Sequence, residues 1–219
     1  YKALGKLQAS SKAFEEATTI KPDYAEAYNN LGIVQAQLRN LDVSVESFKR
    51  AIAIKPGYVE AYSNLGAVFK ELNRFEDAII IYQKVISVKP EYAEAHYNLG
   101  NLLKDLGMFH EAIKCYEKSI DIKPDYVEAQ SNLGVVFKEL NRFEDAIKSQ
   151  ESALSINPNF AEAHNNLGNT LKAMGKLENA LNSYLKASKL DPNYAAPHYN
   201  MANIFQEIGE INRAIIALL

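Results

Sequence analysis

Prolines recur along this chain at one interval: Pro22, Pro56, Pro90, Pro124, Pro158 and Pro192 stand 34 residues apart. A fixed period in the range of roughly 20–50 residues marks a stack of like units, not one globular core around one active site. Asp125–Pro158 is a whole unit, DYVEAQSNLGVVFKELNRFEDAIKSQESALSINP, and the rest of the chain is copies of it. The 219 residues hold about six and a half such units, so a domain count from length does not apply.

Slots within a unit are numbered so that Ala25, Val59, Ala93, Val127, Ala161 and Ala195 are slot 1. Slot 7 is then Leu31, Leu65, Leu99, Leu133, Leu167 and Met201, and slot 8 is Gly32, Gly66, Gly100, Gly134, Gly168 and Ala202. Apolar residues at slots 4, 7, 11 and 14 have helical spacing. A second helical set follows at slots 17, 20, 21, 24, 27 and 30, as in Phe75, Ala78, Ile79, Tyr82, Val85 and Val88. Each unit therefore reads as two amphipathic helices, A and then B.

Local signals mark the helix ends. Asp23-x-x-Glu26, Asp125-x-x-Glu128 and Asn159-x-x-Glu162 have the spacing of capping boxes opening helix A. Each follows a proline that helps stop the preceding helix B. Between A and B stands a residue tolerant of left-handed backbone: Gly5, Asn73, Gly107, Asn141, Gly175 or Gly209. Arg39 breaks this series, and the adjacent Asn40 is the expected substitute. Small residues at slots 8 and 20, such as Gly66 with Ala78 or Gly134 with Ala146, let A and B approach closely. Ser10 and Ser44 at slot 20 are expected to be tolerated there.

The totals exclude several classes. A net charge of −3 gives no field that would hold nucleic acid or an anionic membrane. The single cysteine, Cys115, excludes an intrachain disulfide and a multi-cysteine metal site. No apolar run approaches the roughly 20 residues that cross a bilayer. No metal, no cofactor and no catalytic residue is expected, and a cytoplasmic location is. Tyr1 fits the middle of one helix and Leu219 the inside of another. Ile215, Ile216, Leu218 and Leu219 are apolar where a free-standing solenoid would carry a polar cap. A piece of a longer protein is the expectation.

Tyr62, Leu65-Gly66, Phe69, Ala78, Tyr82 and Pro90 resemble the tetratricopeptide repeat, as do His96, Leu99-Gly100, Leu103, Ala112, Tyr116 and Pro124. The resemblance runs the length of the chain: complete repeats at 25–58, 59–92, 93–126, 127–160 and 161–194, with partial ones at 1–24 and 195–219, in one continuous array. It implies an all-α solenoid, a right-handed superhelix of antiparallel helix pairs. It also implies that helix A lines an inner groove, with slots 2, 5, 6, 9, 12 and 13 facing it. The segments 63–79 and 131–147 differ at one position, Ala67 against Val135, and point to duplication of a two-repeat block.

Slot 6 is asparagine in every unit: Asn30, Asn64, Asn98, Asn132, Asn166 and Asn200. Helix propensity does not account for that run. An amide carries donors and an acceptor that match a peptide bond, so a ladder of them would hold an extended backbone whatever its side chains. The rival reading is that slot 6 bonds between adjacent repeats. Tyr97 and Tyr199 at slot 5 are added as groove contacts, whereas Tyr28, Tyr62, His96, His164 and His198 at slot 4 read as packing residues. The slot-2 glutamates read as capping residues, and the slot-12 lysines Lys70, Lys104, Lys138 and Lys172 as solvated positions beside acids. Ile80 and Ile81, where other repeats carry polar residues, are the candidate outer contact.

The asparagine run is also similar to the repeat region of the O-linked N-acetylglucosamine transferases, which implies a groove for an acceptor polypeptide. The chain itself reads as a non-catalytic scaffold whose partner is a protein or extended peptide, not nucleic acid or membrane. Two alternatives stand beside that. One is the substrate-recruiting arm of such a glycosyltransferase, which a following nucleotide-sugar domain would support. The other is a structural assembly module that self-associates, which light scattering would detect.

Overall fold

The computed structural model describes residues 2–210. Tyr1 and residues 211–219 lie outside the described part, and with them the apolar end Ile215, Ile216, Leu218 and Leu219. Among the described residues there are twelve α-helices and no strand. The chain divides into two compact units, Tyr1–Leu102 and Leu103–Leu219.

The first unit holds α1 (Lys2–Ile20), α2 (Ala25–Gln37), α3 (Leu41–Ile54), α4 (Val59–Glu71), α5 (Phe75–Val88) and most of α6 (Ala93–Asp105). There α1 packs on α2, α2 on α3, α3 on α4 and α4 on α5, while α2 also touches α4. The second unit holds α7 (Phe109–Ile122), α8 (Val127–Glu139), α9 (Phe143–Ile156), α10 (Ala161–Ala173), α11 (Leu177–Leu190) and α12 (Ala195–Glu207). Each of these packs on its successor, and the A helices α8, α10 and α12 touch in turn.

The close approach of A to B rests on slots 8 and 20. Ala78, Ala112, Ala146 and Ala180 at slot 20 are each 0% exposed. The slot-8 glycines lie under the slot-24 side chain of the same repeat: Gly32 under Phe48, Gly66 under Tyr82, Gly134 under Gln150 and Gly168 under Tyr184. Ser44 is accommodated because its hydroxyl donates to the Gly32 carbonyl at 2.7 Å.

The A-to-B turns are Schellman motifs. In the second complete repeat, Asn73 N–H donates to the Lys70 carbonyl at 3.0 Å and Arg74 N–H to the Phe69 carbonyl at 2.8 Å. Asn73, Gly107, Asn141, Gly175 and Gly209 take positive φ as expected. Two expectations fail. Arg39 itself takes φ 65°, and Asn40 is the N-cap of α3 at φ −87°. The motif demands its left-handed residue one place after the C-cap, and Leu38 is that cap, so a neighbouring asparagine cannot substitute. Gly5 is no turn, because α1 runs through it from Lys2 to Ile20. Glycine tolerates helical φ at a cost of about 1 kcal/mol, so a helix can carry it inside.

The capping boxes do not form either. The N-caps of α2, α8 and α10 are Tyr24, Tyr126 and Phe160, one residue after the expected Asp23, Asp125 and Asn159, and none makes a side-chain cap bond. The tyrosines anchor the B-to-A turn differently. Lys55 and Lys123 each set their ammonium 4.5 Å from the ring of Tyr58 and Tyr126, and Lys21 and Lys89 do the same over Tyr24 and Tyr92 at 5.0 and 4.8 Å.

Candidate functional site

The slot-6 asparagines sit on the A helices: Asn30 on α2, Asn64 on α4, Asn98 on α6, Asn132 on α8, Asn166 on α10 and Asn200 on α12. Asn30 is exposed, and the other five are half-buried. Three of them form the same bond to slot 5 of the preceding repeat. Asn64 Nδ2 donates to Asn29 Oδ1 at 3.1 Å, Asn166 Nδ2 to Ser131 Oγ at 3.1 Å, and Asn200 Nδ2 to Asn165 Oδ1 at 3.0 Å. Asn200 Nδ2 also reaches Asn169 Oδ1 at 3.1 Å. The rival reading of slot 6 is therefore part of the structure: these amides tie one A helix to the next. They do so with nitrogen only, and the Oδ1 atoms of Asn64, Asn166 and Asn200 meet no donor among the described residues.

Slots 5 and 9 matter more than the sequence suggested. Asn29 and Asn165 are buried, at 5% and 4% exposure, as acceptors for the next repeat. Asn169 Oδ1 also accepts from the Tyr184 hydroxyl at 2.9 Å. Burial pushes that phenol up to about 12, so it stays a donor at any physiological pH. Gln150, fully buried, joins Ser131 from beneath. Its signal in the sequence was an amide at slot 24, where other repeats carry Phe48, Tyr82, Tyr116 and Tyr184.

Tyr199 stands 61% exposed on α12, while Tyr97 on α6 is half-buried. The charged slots are engaged. Lys104 faces Asp105 at 3.7 Å and Lys138 faces Glu139 at 2.7 Å. Glu26 is held by its own backbone N–H and then by the Lys55 ammonium, 3.3 Å away, which together lower its pKa. His96 and His164 use Nε2 on the Pro90 and Pro158 carbonyls, at 2.9 and 3.0 Å, as packing residues should.

The outer pair divides. Ile80 is 61% exposed, but Ile81 is half-buried against the cluster of Val59, Tyr62, Val85 and Ala95. A recess of about 810 Å³ lies elsewhere, between α11 and α12 beside Leu181, Leu185, Met201 and Phe205. It borders the last described residues and contains no slot-6 asparagine. Among the described residues no three His, Cys, Asp or Glu side chains gather as a metal site, and no helix is long and apolar enough to cross a membrane.

The TPR repeat family model matches residues 1–38, 67–107, 136–175 and 168–209. The chain belongs to the tetratricopeptide-repeat family. Two further tetratricopeptide models match residues 25–58 and 93–126. No curated protein matches the chain.

Among solved structures, a tetratricopeptide repeat protein from Parabacteroides merdae aligns with TM-score 0.81 at 19% identity, covering 97% of this chain and 84% of its own. YrrB, described as a TPR protein with an unusual peptide-binding site, aligns with TM-score 0.64 at 20% identity, covering 85% of this chain and 96% of its own. The Cut9–Hcn1 hetero-tetramer of the APC/C gives TM-score 0.79 at 18% identity, covering 97% of this chain and 42% of that one. At these identities the likeness is one of fold. That fold, the tetratricopeptide scaffold, is typical of protein–protein interaction modules.

Proposed function

We propose that the chain is a binding scaffold that holds an extended polypeptide along the A-helix face within each unit. The contacts are Asn30, Asn64, Asn98 and Tyr97 in the first unit, and Asn132, Asn166, Asn200 and Tyr199 in the second. The observation that carries this reading is the division of labour in the amides. In Asn64, Asn166 and Asn200 the nitrogen binds the neighbouring repeat, and the oxygen meets no donor among the described residues. A residue serving only as a bolt needs no second polar end, and here that end is not among the buried unpartnered side-chain atoms, so it stays accessible to water and to a guest's N–H donors.

Spacing supports the same reading. Packed helices lie about 8–10 Å apart, and an extended chain advances roughly 3.3–3.6 Å per residue, so each rung meets about every third residue of a guest. YrrB lends its described peptide-binding site as a precedent on this fold.

The test is a peptide array followed by an anisotropy titration with the best binder. Asn166→Ala with Asn200→Ala should weaken binding about tenfold or more, with helicity retained. Binding as tight as the parent's would end the reading. The glycosyltransferase-arm alternative shares this groove and needs a nucleotide-sugar domain beyond these residues, which the full coding sequence would reveal. Self-association has one favouring observation, the exposed Ile80. A strictly monomeric species across a light-scattering concentration series would remove it.

A further inference from the structure

Repeat 127–160 departs from the others at slot 24. Phe48, Tyr82, Tyr116 and Tyr184 fill that slot elsewhere, and here it is Gln150, 0% exposed. A buried amide in place of an aromatic ring must find partners, and it finds them on one residue. Gln150 Nε2 donates to the Ser131 carbonyl at 2.8 Å, and Ser131 Oγ donates to Gln150 Oε1 at 3.1 Å. Ser131 is 1% exposed, and its hydroxyl is also the acceptor for Asn166 Nδ2 at 3.1 Å.

The direction of this chain of bonds is determined from its inner end. A backbone carbonyl only accepts, so the nitrogen of Gln150 must lie at the Ser131 carbonyl and its oxygen at the Ser131 hydroxyl. The hydroxyl has one proton, and Gln150 Oε1 can only accept it. Ser131 Oγ therefore faces Asn166 with a lone pair and demands a donor. Asn166 can answer only with Nδ2, which leaves Oδ1 as its free end. Without the buried amide the Ser131 proton could turn toward Asn166, and the rung could reverse and present its NH2 group.

We propose that Gln150 is a positioning residue that fixes the polarity of the Asn166 rung, so that this rung offers an acceptor and takes N–H donors from a bound chain. Gly134 is part of the device, since a Cβ there would stand 2.5 Å from Gln150 Nε2 and block its path to Ser131. The statement about the guest rests on the groove reading above; the statement about Asn166 does not.

Side-chain amide hydrogen exchange, followed by NMR on the whole chain, tests it. The variants are Gln150→Met, which keeps the volume, and Gln150→Tyr, which installs the side chain that slot 24 carries over Gly66 and Gly168. In either folded variant the Asn166 NH2 protons should exchange about threefold to tenfold faster, as expected when one part-buried hydrogen bond is no longer held in a single direction. Asn200, whose partners are Asn165 and Asn169, should be unchanged. An unchanged Asn166, or equal quickening at Asn200, overturns the proposal; if the Met variant does not fold, the Tyr variant decides.

For the guest, the best array peptide is remade with single backbone N-methyl groups. One methylated position should lose binding about tenfold on the parent and much less on the Gln150 variants. Equal loss on parent and variants counts against the donor claim. An array with no binder overturns the groove reading and leaves the polarity claim to the exchange data.

Discussion

Tyr184 lies so close against Gly168 that a methyl group on that glycine would stand 2.5 Å from the ring at Cε1. Helices α10 and α11 meet there, and Tyr184 is 0% exposed, so the ring has nowhere to retreat. Gly168→Ala should lower stability by about 1–3 kcal/mol. Because a repeat array need not unfold as one cooperative block, the readout is backbone hydrogen exchange in α10 and α11, not a single melting point. In the Tyr184→Leu background the same substitution should cost less, as coupling between touching residues requires. Additive costs would mean that the contact is not what excludes the methyl group.

That glycine was legible in the sequence, and so was most of the fold. A 34-residue period, apolar slots at helical spacing and a small residue at slots 8 and 20 are properties of single positions, repeated often enough to be read from them. Helix boundaries were less so. Asp125 and Glu128 have the spacing of a capping box, but Tyr126 is the N-cap: its N–H closes the turn on the Lys123 carbonyl at 3.1 Å and its carbonyl takes the helix bond from the Gln130 N–H at 3.1 Å. A pattern of spacing cannot distinguish those two solutions one residue apart.

Arg39 is the turn residue least suited to its backbone. A left-handed conformation costs an ordinary side chain about 1–2 kcal/mol, which glycine avoids. Against that, glycine loses about 0.5–1 kcal/mol more conformational freedom on folding. The substitution also removes the Arg39–Glu71 ion pair, which is exposed and worth about 0–1 kcal/mol. At mid-range these terms leave a few tenths of a kcal/mol, and at most about 1.5, so Arg39→Gly should stabilise the α2–α3 turn slightly. Slower amide exchange in the first turn of α3 is the expected sign. Faster exchange there would show that the ion pair with Glu71 outweighs the backbone.

Cys115 should be a slow thiol. Burial, with a smaller push from Glu111, raises its pKa from 9.0 to about 11. The thiolate is the nucleophile, so at pH 8 alkylation by iodoacetamide should be about a hundredfold slower in the folded chain than in urea. The sign for stability follows. The native thiol keeps its proton above pH 9 while the unfolded thiol releases it, so its contribution is complete below pH 9 and is lost as pH rises to about 11. Equal alkylation rates in the two states would place the thiol in solvent.

The candidate site was half legible. Six asparagines at slot 6 announce themselves in the text, and so does the absence of propensity as an explanation. Which end of each amide is free is invisible there. For Asn166 it depends on Ser131, 35 residues earlier, and on Gln150, 19 residues from Ser131 on a different helix. Such a chain of bonds is a property of the packed array, not of any slot.

The junction of α1 with α2 holds a second polar departure, at slot 11. Other repeats place Phe69, Leu103, Phe137, Leu171 and Phe205 there, but this one buries Gln35 at 6% exposure. Its Nε2 donates to Ser11 Oγ at 2.9 Å and to Glu15 Oε1 at 3.3 Å, and its Oε1 accepts from Asn40 Nδ2 at 2.8 Å. Gln35→Leu would restore the apolar character of the slot and still be harmful. It deprives three side chains of a partner: Glu15 and Asn40 are exposed and turn to water, while buried Ser11 keeps only its bond to Glu15 at 2.8 Å, so the loss is about 1 kcal/mol. The loss should be local, appearing as faster amide exchange from Lys12 to Thr19 in α1 while α4 and α5 keep their protection. Adding Ser11→Ala should recover part of it, since removing both members of a buried polar pair is far milder than removing one. If Gln35→Leu alone slows exchange in α1, apolar packing dominates this junction and the network around Gln35 adds nothing to its stability.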